Sequence, residues 1–463
     1  MQPGRLPLWQ FVLASAWLLA FVGTALFLID RQTRPLIYAF LMAGASAPWF
    51  WLAFLLFKRE LHVPWQWVLV TALLLRALAL FGTPALLSDD IYRYVWEGRV
   101  QMHADANKRN PFLNPPVDFS EDEPRDPIWE QVNHKEVPAA YPPVCQLYLR
   151  TLASLDLGVL GFRNGFALFD LLLVLLIPHW LSRLRKAPGI SLIYSLCPLV
   201  LIELTVEGHN DALGLFFLVA MFWLLGTSKK LSTTQIVLGG VLYGLAIGSK
   251  FLPLVLVPWL LRKDWRLLVP AAVTVILSYV PYLPAHWPQL LHGLGRYGEK
   301  WAHNETIFAV IKGFAIWVQA WLEAGGVTGW LVDGNNTDAL SRLLLFAIYG
   351  GGLSFLFWLE RDPASAVVPL LGLLYALSPV VHPWYLVWVV PFLCINPSPA
   401  LFALLAGAQF SYIALIRWHG GAGWVPEHFW QAEWFWKSVE YGPFYALTLW
   451  GWLKKSVRRS QGC

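Results

Sequence analysis

The stretch Ser88-Asp89-Asp90-Ile91-Tyr92-Arg93-Tyr94-Val95-Trp96-Glu97-Gly98 sets two adjacent carboxylates, an arginine and a glutamate directly after a long apolar run. Charge where an apolar segment leaves a bilayer is costly, so it marks a candidate site. On a helix, Asp89, Arg93 and Trp96 share one face, while Asp90, Arg93, Tyr94 and Glu97 share another. One carboxylate could serve as a general base beside an orienting Arg93, with the two pKa values split by proximity. Asp89, nearest the span end, is the first choice of the two. Alternatively the pair could hold a divalent cation through oxygen ligands. Direct adjacency, rather than a spaced Asp-x-Asp, makes the metal reading the weaker one, and no cofactor is certain. The plain alternative is a capped interfacial helix, with Ser88 as N-cap and the carboxylates favouring the dipole of the first turn.

Four more clusters follow. Glu203-Leu204-Thr205-Val206-Glu207-Gly208-His209-Asn210-Asp211 gathers polar groups between two apolar runs. Its spacing matches no standard zinc ligand set, and a solvated turn capped by Asn210 or Asp211 would explain it equally. Lys250, between Gly248 and Pro253, reads as a phosphate contact or as a snorkelling lysine. Ser378-Pro379-Val380-Val381-His382-Pro383-Trp384-Tyr385 adds a histidine to aromatics that an interfacial belt alone would supply. Arg417-Trp418-His419 ends a later span. Candidate substrate-binding residues are therefore Arg93, Tyr94, Glu97, His209, Asn210, Asp211, Lys250, His382, Trp384, Tyr385 and Arg417. Asn110-Pro111-Phe112 and Tyr141-Pro142-Pro143 are rigid loop punctuation ahead of new helices.

The elements that must carry these residues are membrane spans. Of 463 residues, 57% are hydrophobic and only 14% charged, against about 25% charged in soluble domains. Apolar runs of roughly 20 residues mark crossings, and their pattern predicts an all-α polytopic membrane protein of about 11–14 transmembrane helices, residues 1–463 forming a single transmembrane domain. With the N-terminus inside, Lys58-Arg59, Arg183 to Lys186, Lys229-Lys230, Arg262-Lys263 and Lys454-Lys455 all fall inside, as positive-inside bias requires. The 83–161 segment, with twelve acidic and seven basic residues, then becomes a large extracytoplasmic loop with interfacial helices, and 285–338 a second extracytoplasmic segment. Residues 231–261 allow two short helices meeting at Gly248-Ser249-Lys250 on the outer side. All the polar clusters converge on that side. The net charge of +5 comes from short inter-span clusters and implies no nucleic-acid partner. Four scattered cysteines imply no disulfide framework.

With these residues in hand, the chain resembles the GT-C superfamily of integral membrane glycosyltransferases, and more closely the bacterial polyprenol-phosphate-mannose-dependent mannosyltransferases. The likeness rests on Ser88 to Arg99, Asn110-Pro111-Phe112, Tyr141-Pro142-Pro143, His209-Asn210-Asp211, Lys250-Phe251-Leu252-Pro253 and His382-Pro383-Trp384-Tyr385, over about residues 65–420. One departure is Lys108-Arg109-Asn110-Pro111-Phe112, where such proteins often read Gly-x-Asn-Pro-Tyr. The resemblance implies a polyprenyl-phosphate-linked sugar donor, a glycan or glycolipid acceptor, and a GT-C-like bundle in a bacterial cell membrane with its site on the outer side. It also implies a catalytic carboxylate in the first large loop, Asp89 or Asp90. That group would deprotonate the acceptor hydroxyl for in-line attack at the anomeric carbon, with inversion, the phosphate leaving on its lipid. The rival class is a multispan transporter or lipid-linked sugar flippase, which would more often show inverted repeats and midplane charges. A lipid-anchored polymer ligase is a third.

Overall fold

A computed structural model of the protein describes residues 4–29, 34–58, 61–82, 87–119, 127–283, 287–300, 302–413 and 433–460. Among these residues the chain is helical, with two isolated bridges and no strand. It is an all-α polytopic membrane protein. Six helices are long and apolar enough to cross a bilayer, a bent pair adds a seventh, and six apolar helices of 10–17 residues accompany them. The expected 11–14 spans treat the shorter helices as crossings; length alone does not make them so, since a straight crossing needs about 20 residues.

Helices α1 (Leu8–Phe27), α2 (Pro35–Lys58) and α3 (Trp65–Phe81) run up, down and up. A cap of amphipathic pieces follows: α4 (Asp90–Val100), α5 (Pro127–Gln131) and α6 (Pro143–Ser154). Then α7 (Val159–Arg183) descends. The chain climbs again through α8, the pair Pro188–Ser195 and Pro198–Val206, bent by 57°. Next come α9 (Asp211–Leu225) and α10 (Thr233–Ser249). Helix α10 starts on a capping box, in which Ser232 Oγ accepts the Gln235 amide and the Gln235 side chain accepts that of Ser232.

Residues 252–282 pass as one apolar run of 31 residues, yet Asp264 is extended (φ −167°, ψ 103°). It divides the run into α11 (Val257–Asp264) and α12 (Leu268–Tyr279). A Cβ on Gly240 would lie 2.5 Å from the Leu267 carbonyl, and one on Gly244 2.6 Å from that of Ala271. This order makes α10 and α12 parallel, packed closely through small residues. The chain must return between them, so Lys250 turns the corner at one end and Arg262-Lys263 the corner at the other.

The basic residues gather at the far end from Asp90. Arg5 bridges to His62, at the start of α3, whereas Asp90 follows its end. Lys186 reaches the Ile395 carbonyl, Lys263 that of Ser228, and Arg183 lies over Trp223. Between the two ends, Arg76 forks onto Asp170 at 3.0 and 3.1 Å, and the Tyr194 and Thr205 hydroxyls donate to the same carboxylate at 2.7 Å. A buried ion pair is tolerated when its remaining lone pairs are filled in this way. It ties α3, α7 and α8 together under the site.

Candidate active site

Helix α4 can seat itself only because residue 98 is glycine: a Cβ there would lie 2.6 Å from the Leu149 carbonyl of α6. Beside that contact, wholly buried Glu97 accepts from Arg93 Nε at 2.9 Å and from the Gln146 amide. The rest of the Arg93 guanidinium donates to the carbonyls of Asn133, His134, Val137 and Pro138. Its donors are thus spent on the protein. Arg93 clamps the 133–138 loop and so delivers Asn133, whose Nδ2 donates to Asp89 Oδ1 at 2.7 Å and lies 3.5 Å from Asp90 Oδ1.

A second clamp comes from α8. Residues Leu201–Val206 form a π-helical turn, a geometry that concentrates at functional sites. Glu207 after it accepts the backbone N–H groups of Leu87 (3.1 Å) and Ser88 (3.3 Å), fixing the approach to the carboxylate pair. Gly208 then turns the chain at φ +69°, where a Cβ would also meet Arg163 Cα at 2.9 Å. That turn delivers His209, Asn210 and Asp211 together.

Asp90 stands where these parts meet. Its side chain is 17% exposed. Tyr141 donates its hydroxyl to Oδ2 at 3.1 Å, and Tyr94 lies within 3.5 Å of the same oxygen. Burial raises the Asp90 carboxyl from 3.8 to about 6; the Asp89 charge adds to the rise, while Lys250, Tyr141 and Asn133 oppose it. His209 stacks on Trp384 at 4.1 Å, Trp384 on His382 at 4.3 Å, and His382 on His303 at 4.5 Å, a column of four rings. Burial, then the Lys250 charge, hold the His209 imidazole neutral, well below its ordinary pKa. Lys250 Nζ sits 2.7 Å from both oxygens of Asp211 and 4.6 Å from the centre of the Tyr385 ring. Trp388 Nε1 also donates to Asp211, and Asn210 Nδ2 to Cys145 Sγ at 3.3 Å.

Part of this cluster faces a cavity of about 900 Å³. Asp89, Asp90, Arg93, Lys250, His382, Trp384 and Tyr385 line it, with Asn133, Tyr141 and His303. The N-terminal-domain pattern of the alpha-(1->6)-mannopyranosyltransferase family matches residues 12–262, more than half of the chain. The chain belongs to that family. It is a GT-C mannosyltransferase-type glycosyltransferase of the membrane. Neither a curated protein nor a solved structure matches it.

The family match spans the carboxylate pair through Lys250. The His382–Tyr385 wall of the cavity comes from beyond it and is brought there by the fold. Of the residues singled out from the sequence, Tyr94 touches Asp90, whereas Glu97, Asn210 and Asp211 lie buried behind the cavity, each bound to protein groups. Arg417 lies outside the described residues. Among the described residues, no group of three or more His, Cys, Asp or Glu is arranged to hold a metal ion. The sequence reading left out Asn133 and His303, neither of which sits in a recognisable motif. It also left out the Arg76–Asp170 pair; an arginine and an aspartate inside apolar runs are the signal that would have found it.

Proposed function

We propose that the protein transfers mannose from a polyprenyl-phosphate donor to an extracytoplasmic glycan or glycolipid acceptor, inverting the anomeric centre, at the outer face of a bacterial cell membrane. The observation that carries this is Asp90, a carboxylate with a raised pKa at the wall of a large cavity. Asp90 Oδ takes the proton of the acceptor hydroxyl. The hydroxyl oxygen attacks the anomeric carbon from the face opposite the phosphate, and the bond from that carbon to the phosphate oxygen breaks. The phosphate leaves on its lipid. General-base assistance of this kind contributes about 10²–10⁴-fold. A base near pH 6 is ionised at neutral pH yet retains more basicity than an ordinary aspartate.

Lys250 supplies the cation for the leaving phosphate. An ammonium has three N–H groups, and contact with the two Asp211 oxygens leaves donor capacity toward the cavity. Charge-assisted hydrogen bonds to phosphate are roughly twice as strong as neutral ones. The aromatic wall of Trp384 and Tyr385 offers the flat apolar surface that a pyranose ring packs against. The basic clusters gather at the opposite end of the bundle, and positive-inside bias supports the outer-face reading. A transporter would more often carry its polar site at the bilayer midplane; this cavity is lined by residues that follow the end of α3, such as Asp89 and Asp90.

The test is transfer by purified protein in lipid, offered radiolabelled polyprenyl-phosphate sugars and nucleotide sugars in parallel. Transfer of mannose from the polyprenyl phosphate is expected. Transfer from a nucleotide sugar alone, or transport without any glycosidic bond formed, would overturn the proposal.

A further inference from the structure

His209 is a buried histidine with two unspent nitrogens. It is 1% exposed, yet neither Nδ1 nor Nε2 makes a well-aligned hydrogen bond. Such a group costs stability, so in a packed site it calls for a reason. Each nitrogen faces one carboxylate: Nε2 lies 3.3 Å from Glu203 Oε2, and Nδ1 lies 3.9 Å from Asp90 Oδ2. The ring cannot swing away, because Trp384 stacks on one face at 4.1 Å, and the His209 backbone N–H is tied to the Glu203 carbonyl at 3.0 Å.

The tautomer follows from Glu203. Tyr412 gives its one hydroxyl hydrogen to the Glu203 carboxylate, from 2.9 and 2.8 Å. Burial pushes the Glu203 carboxyl up and the Tyr412 hydroxyl opposes that rise; in its ionised form Glu203 is an acceptor only, and the imidazole hydrogen then belongs on Nε2, facing it. Nδ1 is then a bare lone pair directed at Asp90.

We infer that His209, oriented by Glu203, is the acceptor for the hydrogen that Asp90 carries after it has taken the proton of the attacking hydroxyl. This rests on the reading of Asp90 as the base. The sequence of events conserves one proton. It moves from the acceptor oxygen to Asp90 Oδ2. The new O–H closes about 1 Å onto Nδ1 as a hydrogen bond. When products leave, the proton passes from Asp90 to water entering the cavity, and the carboxylate is restored. His209 does not become charged at any stage. It is a positioning residue that strengthens Asp90 as a base by stabilising its protonated form. The other charged or titratable groups facing Asp90 are Asp89 on its own helix, Lys250 from α10, and Tyr94 and Tyr141; Glu207 and Asp211 flank His209.

The test is the pH dependence of transfer at saturating donor, in wild type, Glu203→Gln, His209→Phe and Asp90→Asn. In Glu203→Gln the carboxamide donates to Nε2. The imidazole hydrogen is forced to Nδ1, which then points an N–H at Asp90 and favours its ionised form. The acid limb should move down by about one unit, with the plateau rate down about tenfold and donor KM unchanged. ¹⁵N shifts of the histidine ring should report the change of tautomer. His209→Phe keeps the ring on Trp384 and removes both nitrogens, so it covers the case in which Glu203→Gln fails to fold; it should move the limb in the same direction by less. An unmoved acid limb in a folded variant, with Asp90→Asn inactive, overturns the inference and leaves Asp90 as base. Full activity in Asp90→Asn overturns the reading beneath it.

Discussion

Replacing Asp90 by asparagine should remove activity and strengthen the fold at the same time. The two effects have one cause. The carboxyl is raised from 3.8 to about 6, chiefly by burial. Because the folded pKa lies above the unfolded one, the native state binds the proton more tightly. Holding Asp90 ionised therefore opposes folding above pH 6. The size is about 2 units at 1.36 kcal/mol each, or about 3 kcal/mol at neutral pH. That penalty fades as pH falls through 6 and is gone below 3.8. Asparagine has nearly the same shape and is never charged. Its carbonyl still accepts from Tyr141, the 3.1 Å partner of Oδ2. Asp90→Asn should thus unfold at a higher temperature than wild type at pH 7.5, by up to about 3 kcal/mol, and match it near pH 4. Its transfer rate should fall about 10²–10⁴-fold. Asp89→Asn keeps the Asn133 contact at its oxygen and should leave activity within tenfold. The assays are thermal unfolding in detergent at two pH values and single-turnover transfer. Full activity in Asp90→Asn would refute the assignment of the base. A loss of stability at pH 7.5 would refute the electrostatic account.

Tyr141→Phe removes a donor to the ionised carboxylate, so Asp90 should titrate higher and the acid limb of activity should move up by about half a unit, read from a pH–rate profile. Lys250→Gln leaves Asp211 charged and buried, at a cost of about 3–5 kcal/mol. Adding Asp211→Asn should restore much of that stability but not donor affinity, and restored affinity would remove Lys250 from the phosphate site. Cysteine placed at Asp118 should react with an impermeant thiol reagent from the outer face, and cysteine at Arg185 should not; outer labelling at 185 would reverse the topology.

The fold class was legible because it follows from solvent chemistry: long apolar runs with few charges allow only helices when the backbone must satisfy itself. The cluster Glu203 to Asp211 stood out as polar residues at an apolar boundary. What its spacing could not give was the division of labour. Glu207 caps the backbone before Asp89, His209 faces Asp90, and Asp211 pairs with Lys250. These roles depend on a π-helical turn and a left-handed Gly208, neither of which has a periodic signature. Arg93 reads from sequence as a partner of the carboxylates three and four residues back. In the folded chain, its four carbonyl contacts lie 40 to 45 residues away. Helical spacing shows which residues share a face, not which loop will fold over that face.

Two requirements conflict at Asp90, and their conflict explains the architecture around it. A base must be dry enough to be strong, yet a dry carboxylate destabilises the fold. The chain meets this by making the surroundings rigid instead of solvating the group. The buried Arg76–Asp170 fork, the Glu97–Gln146 contact and the Arg93 clamp all satisfy their charges internally. The Glu97 and Arg93 contacts hold α4 against α6 and the 133–138 loop, and the Arg76–Asp170 fork holds α3 to α7 beside them. Asp90 is left with neutral donors, Tyr141 and Tyr94, which stabilise the carboxylate less than a cation would. Lys250, the nearby cation, is drawn onto Asp211 at 2.7 Å. Had Lys250 paired with Asp90 instead, the carboxyl would titrate in the ordinary range and be a poor base at neutral pH. In the proposed mechanism, Asp211 is therefore the residue that keeps the base and the phosphate cation apart. Asp211→Asn alone frees the ammonium to move toward Asp90. The acid limb should then shift downward and the plateau rate should fall, though no reacting atom has been touched. An unchanged acid limb in a folded Asp211→Asn protein would mean that Lys250 stays in place without its partner.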